Sequence, residues 1–301
     1  MLIGLFSTSG SPGVSTTTMA MGSVWPDPVV VIDADPSGGD MLAAAGGAVE
    51  ADREATLLEL MRRGRQGHLP EVLDSQITTL PNGASVVAGL GHPGQAGGVA
   101  WTELAEGLRA VTHRDIVVDL GRWALPYPPA PLLRACDLLL MVGRTQLRGL
   151  RRAERVLPLV AEDLDRHRPG IGNVGLLIVN DHGPYAVADI ARRLKAPVLG
   201  ELPWDTRTAA VFSDGADPGR HMDRSPLMRA LPGVVRAVGQ LARQRRALGS
   251  RAPLVRQPPS TPTPVPQAPS TAPAAPPGVG LREMERSPRR LSAVHSTETA
   301  S

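Results

Sequence analysis

The chain has 301 residues, 42% of them hydrophobic, one cysteine and a formal net charge of +3, a balance normal for a soluble globular protein with one large core or two ordinary ones. Lone Cys136 excludes a disulfide framework within the chain, and its setting in "RACDLLLMV" reads as a small buried residue at the start of a strand. From Gly249 onward six Arg stand against three Glu, so residues 1–248 balance at zero and a global DNA-binding field is not indicated.

In chain order, short Val/Ile/Leu runs at 1–6, 29–33, 84–89, 115–120, 137–142, 174–179 and 196–202 alternate with helix-length segments at about 16–24, 54–64, 101–112, 146–167 and 185–194. Continuous apolar strands separated by helices predict an α/β fold, a mostly parallel central sheet covered on both faces. "MLIGLF" lacks a basic flank and is too short for a signal peptide, and no run approaches 18 apolar residues. The expectation is a cytoplasmic protein with no transmembrane segment and no peripheral membrane association. A last helix, "PLMRALPGVVRAVGQLARQRRALG", carries Val234, Val238, Leu241 and Leu248 at helical spacing, read as a face docked on the core rather than a membrane anchor. The expected domain ends at 248, and residues 249–301, rich in Pro, Ser, Thr and Ala, read as a disordered tail, partly polyproline II. Within it "LREMERSPRRLSAV" is open to two readings, a partner-binding tip or an inert end.

The stretch "STSGSPGVSTTTMAMG" after the first run joins a Gly-rich loop to a helix. Backbone N–H groups and the positive end of a helix dipole converge there on one point, which makes such a loop an anion site. Gly10 and Gly13 permit tight turns, the helix is expected to open near Thr16, and the Thr17 hydroxyl falls where it could ligate Mg2+.

The loop resembles that of the MinD/ParA group of deviant P-loop ATPases, S-G-K-G-G-V-G-K-T-T. Ser9, Gly10, Gly13, Val14, Thr17 and Thr18 match; Ser11 replaces the signature lysine, Pro12 and Ser15 replace glycines, and Thr16 replaces the P-loop lysine. A second segment, "VVVIDADPSGGDM", resembles the group's "LLIDxDPQGN", which implies that Asp33 and Asp35 approach Mg2+, the attacking water and the switch. "RDIVVDLGRW" resembles its Walker B strand, with Asp119 near the metal and Gly121 at the γ-phosphate; "GLLIVND" and "APVLGELPWDTRTAAVFSDG" resemble its late strands, where Asn180 would read the adenine edge and the turn from Pro203 to Asp205 would flank the base. Asn180 as a plain turn residue stays open.

The resemblance thus implies catalytic Asp33, Asp35 and Asp119; nucleotide contacts at Gly10, Ser11, Gly13, Val14, Ser15, Thr16, Thr17, Thr18, Asn180 and Pro203; and a metal held by Thr17, Asp33 and Asp119. Its cofactors would be ATP or ADP with Mg2+. Without either lysine, binding is expected to be weak or vestigial and hydrolysis negligible, because the signature lysine of the group reaches across a homodimer to the partner's phosphates. Arg122, Arg144 and Arg148 are candidate substitutes from outside the loop. The wording "GSPGVSTTT…DADPSGGD" looks most like divergent CpaE/TadZ-like proteins, linked to Tad pilus and secretion machinery, with a secretion or pilus ATPase as partner.

Two alternatives remain: a working partitioning ATPase with a ParB-like partner, and nonspecific DNA binding through Arg148, Arg151, Arg152 and Arg155 in "RTQLRGLRRAER", a stretch read in preference as a solvated helix face. A dethiobiotin-synthetase-like ligase shares the fold but needs the same lysines. His92, His182, Tyr185 and Trp204 have no triad or metal-ligand spacing and are assigned surface or packing roles.

Overall fold

The computed structural model describes residues 1–10, 12–45, 56–123, 129–168 and 174–249; Ser11 and the tail from 250 lie outside the described residues. The elements are β1 (Leu2–Ser7), α1 (Val14–Ser23), β2 (Val29–Asp33), α2 (Leu57–Gln66), α3 (Leu69–Val72), β3 (Thr78–Thr79), β4 (Ser85–Val87), α4 (Trp101–Ala110), β5 (Asp115–Arg122), α5 (Ala130–Ala135), β6 (Leu138–Arg144), α6 (Leu147–His167), β7 (Val174–Asn180), α7 (Val187–Leu194), β8 (Val198–Pro203), α8 (Thr206–Ser213) and α9 (Pro226–Gly249). They form one eight-stranded sheet in the order β3-β4-β2-β5-β1-β6-β7-β8, parallel except for β3.

The strands lack hydrophobic alternation because both faces are covered. Side chains of even and odd register go to opposite cores. Leu2, Phe6, Ile32, Val118, Leu139 and Ile178 join the core under α2 to α7, while Ile3, Leu5, Val31, Val117, Leu140 and Leu177 join the core under α1, α8 and α9. Each fully buried aliphatic side chain is worth about 1.5–3 kcal/mol, so the two layers hold the central strands rigidly beneath the loops that follow them.

Three expectations are corrected. Helix α1 opens at Val14, two residues before Thr16, because left-handed Gly13 already serves as its N-cap. Leu248 is 55% exposed, since α9 has run past the sheet by then, whereas Val234 and Val238 are buried and Leu241 packs against the same core. Strand β3 and the short helices α3, α5 and α8 were not expected from the sequence. Cys136 is buried just ahead of β6, its thiol donating to the Leu132 carbonyl at 3.3 Å and pushed up in pKa by burial. No helix of the described residues is long and apolar enough to cross a membrane.

Candidate functional site

The chain order places a crevice at the C-terminal ends of β5, β1 and β6. From β1 it moves to β2 on one side of the sheet, returns through β5, and then crosses to β6 on the other. Ligands of open parallel sheets bind at such switch points, because the loops diverge and leave room.

The loop after β1 lies there. Gly13 has φ 99° and ψ 33°, a left-handed conformation that a side chain would strain, and it caps α1. The first intrahelical bond is Thr17 N–H to the Gly13 carbonyl, 2.9 Å, so the amides of Val14, Ser15 and Thr16 belong to the helix's unpaired first turn. Pro12, Gly13, Thr16 and Thr17 face Arg144, Pro203 and Trp204 across a cleft of about 120 Å3. That is small beside the roughly 300–1,000 Å3 of ordinary ligand pockets. It is narrowed by the Arg144 guanidinium, which stacks 4.4 Å above the centre of the Trp204 ring. Arg144 is thus brought to the cleft. Arg122 lies on the other side of the loop, its guanidinium 3.7 Å from the position a Gly10 Cβ would take. Arg148 is exposed in the first turn of α6, beside Gly149, which backs onto Ser9.

The carboxylates sit behind the loop. Asp33, the last residue of β2, and Asp119, in the second half of β5, are register partners, and their exposures are 2% and 0%. Asp33 is wedged between two glycine backbones: a Cβ on Gly89 would stand 2.7 Å from its carboxyl carbon, and Gly39 is closer still. Burial, then the charge of Asp119, pushes Asp33 up to about 8, against the pull of the Asp35 N–H at 3.3 Å. Burial likewise raises Asp119 to about 6, opposed by the nearby Ser15 hydroxyl and by the Gly121 N–H, which bonds Oδ1 at 2.7 Å. Its other oxygen, Oδ2, is buried with no hydrogen-bond partner. Asp35 is half-buried; it accepts the Ser37 N–H at 2.7 Å and closes onto Gly121, whose φ is 64°.

An orphaned carboxylate oxygen in a set of oxygen donors fits a hard cation, and Mg2+ needs only one or two protein oxygens when phosphate and water complete its shell. Thr17 and Asp119 fit that role. Neither carboxylate lines the cleft, and Asp33 fits less well because it has no orphaned oxygen: its carboxyl accepts the Asp35 N–H and is hemmed in by Gly39 and Gly89. No cluster of three or more His, Cys, Asp or Glu among the described residues forms a self-sufficient metal cage.

The other candidate residues divide. Pro203 lines the cleft. The Asn180 amide is engaged internally, donating to Glu201 Oε1 at 2.6 Å and accepting the His182 N–H at 3.1 Å. Val14 is buried in the core under α1, and the Thr18 hydroxyl donates to the Val14 carbonyl at 2.8 Å, so both build the helix that presents the loop. His92 and His182 are exposed and Tyr185 packs on the core. Trp204 lines the cleft beside Pro203 and Asp205 and packs under the Arg144 guanidinium.

No family model and no curated protein sequence matches the chain. Solved structures do. MinD of Aquifex aeolicus superposes with a TM-score of 0.60 at 18% identity over 85% of this chain and 99% of its own. The fold is that of the MinD and ParA ATPases. MinD of Pyrococcus horikoshii, solved with Mg-ADP, gives 0.62 at 14% identity over 81% of this chain and 98% of its own. A single-residue variant of Cyanothece McdA, solved with ATP, gives 0.59 at 18% identity over 79% and 96%. In this chain the segment between β1 and α1 carries no lysine.

Proposed function

We propose that the chain is a MinD/ParA-like protein that positions or organises a cellular assembly, with Tad pilus or secretion machinery favoured, and that its ATP binding and hydrolysis are weakened or lost. The carrying observation is a loop that keeps Gly13 and the α1 N-terminus but faces its cleft with Thr16 where the P-loop lysine would stand. A hydrogen bond to a charged group contributes about 1.5–3 kcal/mol, so losing one or two weakens triphosphate binding by roughly one to a few powers of ten. Hydrolysis suffers more, since a cation reaching the transferring phosphoryl group is worth about 10³ to 10⁵ in rate.

When bound, Mg2+ would neutralise phosphate charge, held by Thr17 and Asp119. The chain's own residues supply the rest: the amides of Val14 to Thr16 bind phosphate oxygens, Gly13 lets the backbone approach, and Pro203 and Trp204 wall the base side. Arg144 contributes the cleft's positive charge. Asp33, protonated and enclosed at neutral pH, is a poor activator of water. The protein acts as a homodimeric scaffold in the cytoplasm, residues 249–301 serving as a tether.

Isothermal titration with Mg-ATP and a phosphate-release assay test this. Binding weaker than millimolar, or binding without turnover, is expected; tight binding with steady turnover abolished by Asp33→Ala would overturn it. A secretion-type ATPase gene beside this one supports the pilus reading, and a ParB-like gene favours the alternative.

That alternative is an active partitioning ATPase that binds DNA nonspecifically. Arg148, Arg151, Arg152 and Arg155 are all exposed on α6, which favours it. Salt-sensitive binding to duplex of arbitrary sequence would support it, and no binding at low salt removes it.

A further inference from the structure

A second concentration of positive charge lies at the opposite end of the sheet, where the strands begin. Asp137, 4% exposed, precedes β6 and accepts the Leu2 N–H at 2.9 Å. Around it stand Arg109 from the last turn of α4, Arg168 from the end of α6, and Arg245 and Arg246 from α9. Arg109 Nη1 and Arg246 Nη1 each lie 3.8 Å from one of the Asp137 oxygens, too far for either to be a close forked pair. Arg168 donates to the Cys136 carbonyl at 2.6 Å, and Arg109 to the Ala135 carbonyl at 2.7 Å.

Those carbonyls end α5, so part of the cluster caps a helix C-terminus. Capping accounts for two guanidiniums and leaves their charge in place. Arg109, Arg168 and Arg246 share one carboxylate, which neutralises one charge of three. Arg245, 9% exposed, adds a further guanidinium near Arg168; burial and the charge of Arg168 lower the pKa of Arg245, and burial and the charge of Arg109 lower that of Arg168. Arg109 and Arg246 keep 45% and 38% of their side-chain surface open, so an anion can reach them from solvent.

We propose that Arg109, Arg168 and Arg246 form a binding site for a phosphoryl group, separate from the loop after β1. Planar guanidinium forks match the oxygens of phosphate two at a time, and a dianion offsets the surplus that Asp137 leaves. The four arginines come from three helices and are spaced across 137 residues, from 109 to 246, so no local sequence pattern announces the site.

The probe is inorganic pyrophosphate, titrated calorimetrically into the full chain against sodium chloride of equal ionic strength. Saturable binding is expected, at least tenfold weaker in Arg246→Gln and intermediate in Arg246→Lys, which keeps the charge but loses the fork. Arg246 contacts only the rim of the cluster, so circular dichroism should show its variants folded. Thr17→Val, in the first turn of α1 at the other site, should leave this binding unchanged. Sedimentation with phosphatidylglycerol vesicles separates two sources of the same group: co-sedimentation lost in Arg246→Gln places it on a lipid headgroup, and pyrophosphate binding without co-sedimentation places it on a free anion. Absence of saturable binding, equal affinity in Arg246→Gln, or loss of affinity in Thr17→Val overturns the proposal.

Discussion

Asp33 and Asp119 make stability depend on pH in the sense opposite to that of a salt-bridged carboxylate. Their ordinary value is 3.8, and in the fold they stand near 8 and 6. Between those limits the folded chain holds protons that the unfolded chain has released, so stability falls as pH rises. Each proton so held costs about 1.4 kcal/mol per pH unit. From pH 5 to 7 Asp33 alone removes about 2.7 kcal/mol, which for a domain of this size lowers Tm by roughly 5 to 10 °C. Asp119 acts in the same direction up to about pH 6. Asp74, Asp163, Asp181 and Asp205 are held below the usual range, so they titrate beneath this window and leave its slope untouched. Thermal denaturation by circular dichroism in Mg2+-free buffers at pH 5, 6 and 7 reads the effect. Asp33→Asn, of the same shape and always neutral, should flatten most of the slope and raise Tm at pH 7. A wild-type Tm that stays constant or rises from pH 5 to 7, or an unchanged slope in Asp33→Asn, refutes the reasoning.

Three further outcomes follow from named contacts. Gly89→Ala drives a methyl group into the Asp33 carboxyl and should cost about 1–3 kcal/mol by overpacking, most of it recovered in the double variant with Asp33→Ala, as urea denaturation will show. Gly13→Ala strains the left-handed cap by about 1–2 kcal/mol, lowering the urea midpoint and removing whatever phosphate binding the loop retains. Phe212→Ala, fully buried in α8, should cost about 3–5 kcal/mol with nothing lost at the loop beyond global stability.

Seven strands and the long helices were legible because parallel strands buried on both faces leave uninterrupted Val/Ile/Leu runs. Strand β3 left no such trace: it is two threonines paired with Ser85 and Val86, held by its neighbour rather than by its own pattern. Helices α3 and α5, of four and six residues, are too short to show a helical period. Leu248 kept the period of α9 after the sheet beneath it had ended. At the site, the loop and the acidic turns could be read because each is local in sequence. The Arg144–Trp204 stack could not, since it joins the ends of β6 and β8. The enclosure of Asp33 depends on Gly89, which arrives from beyond β4, so its raised pKa was likewise invisible.

The most direct test restores what the loop lacks. Mg-ATP binding and turnover should be measured for the wild type and for the double variant Ser11→Lys, Thr16→Lys. A gain of binding in the variant over a weak or silent wild type is the predicted result; equal binding and turnover already present in the wild type would contradict a scaffold that has lost its nucleotide chemistry.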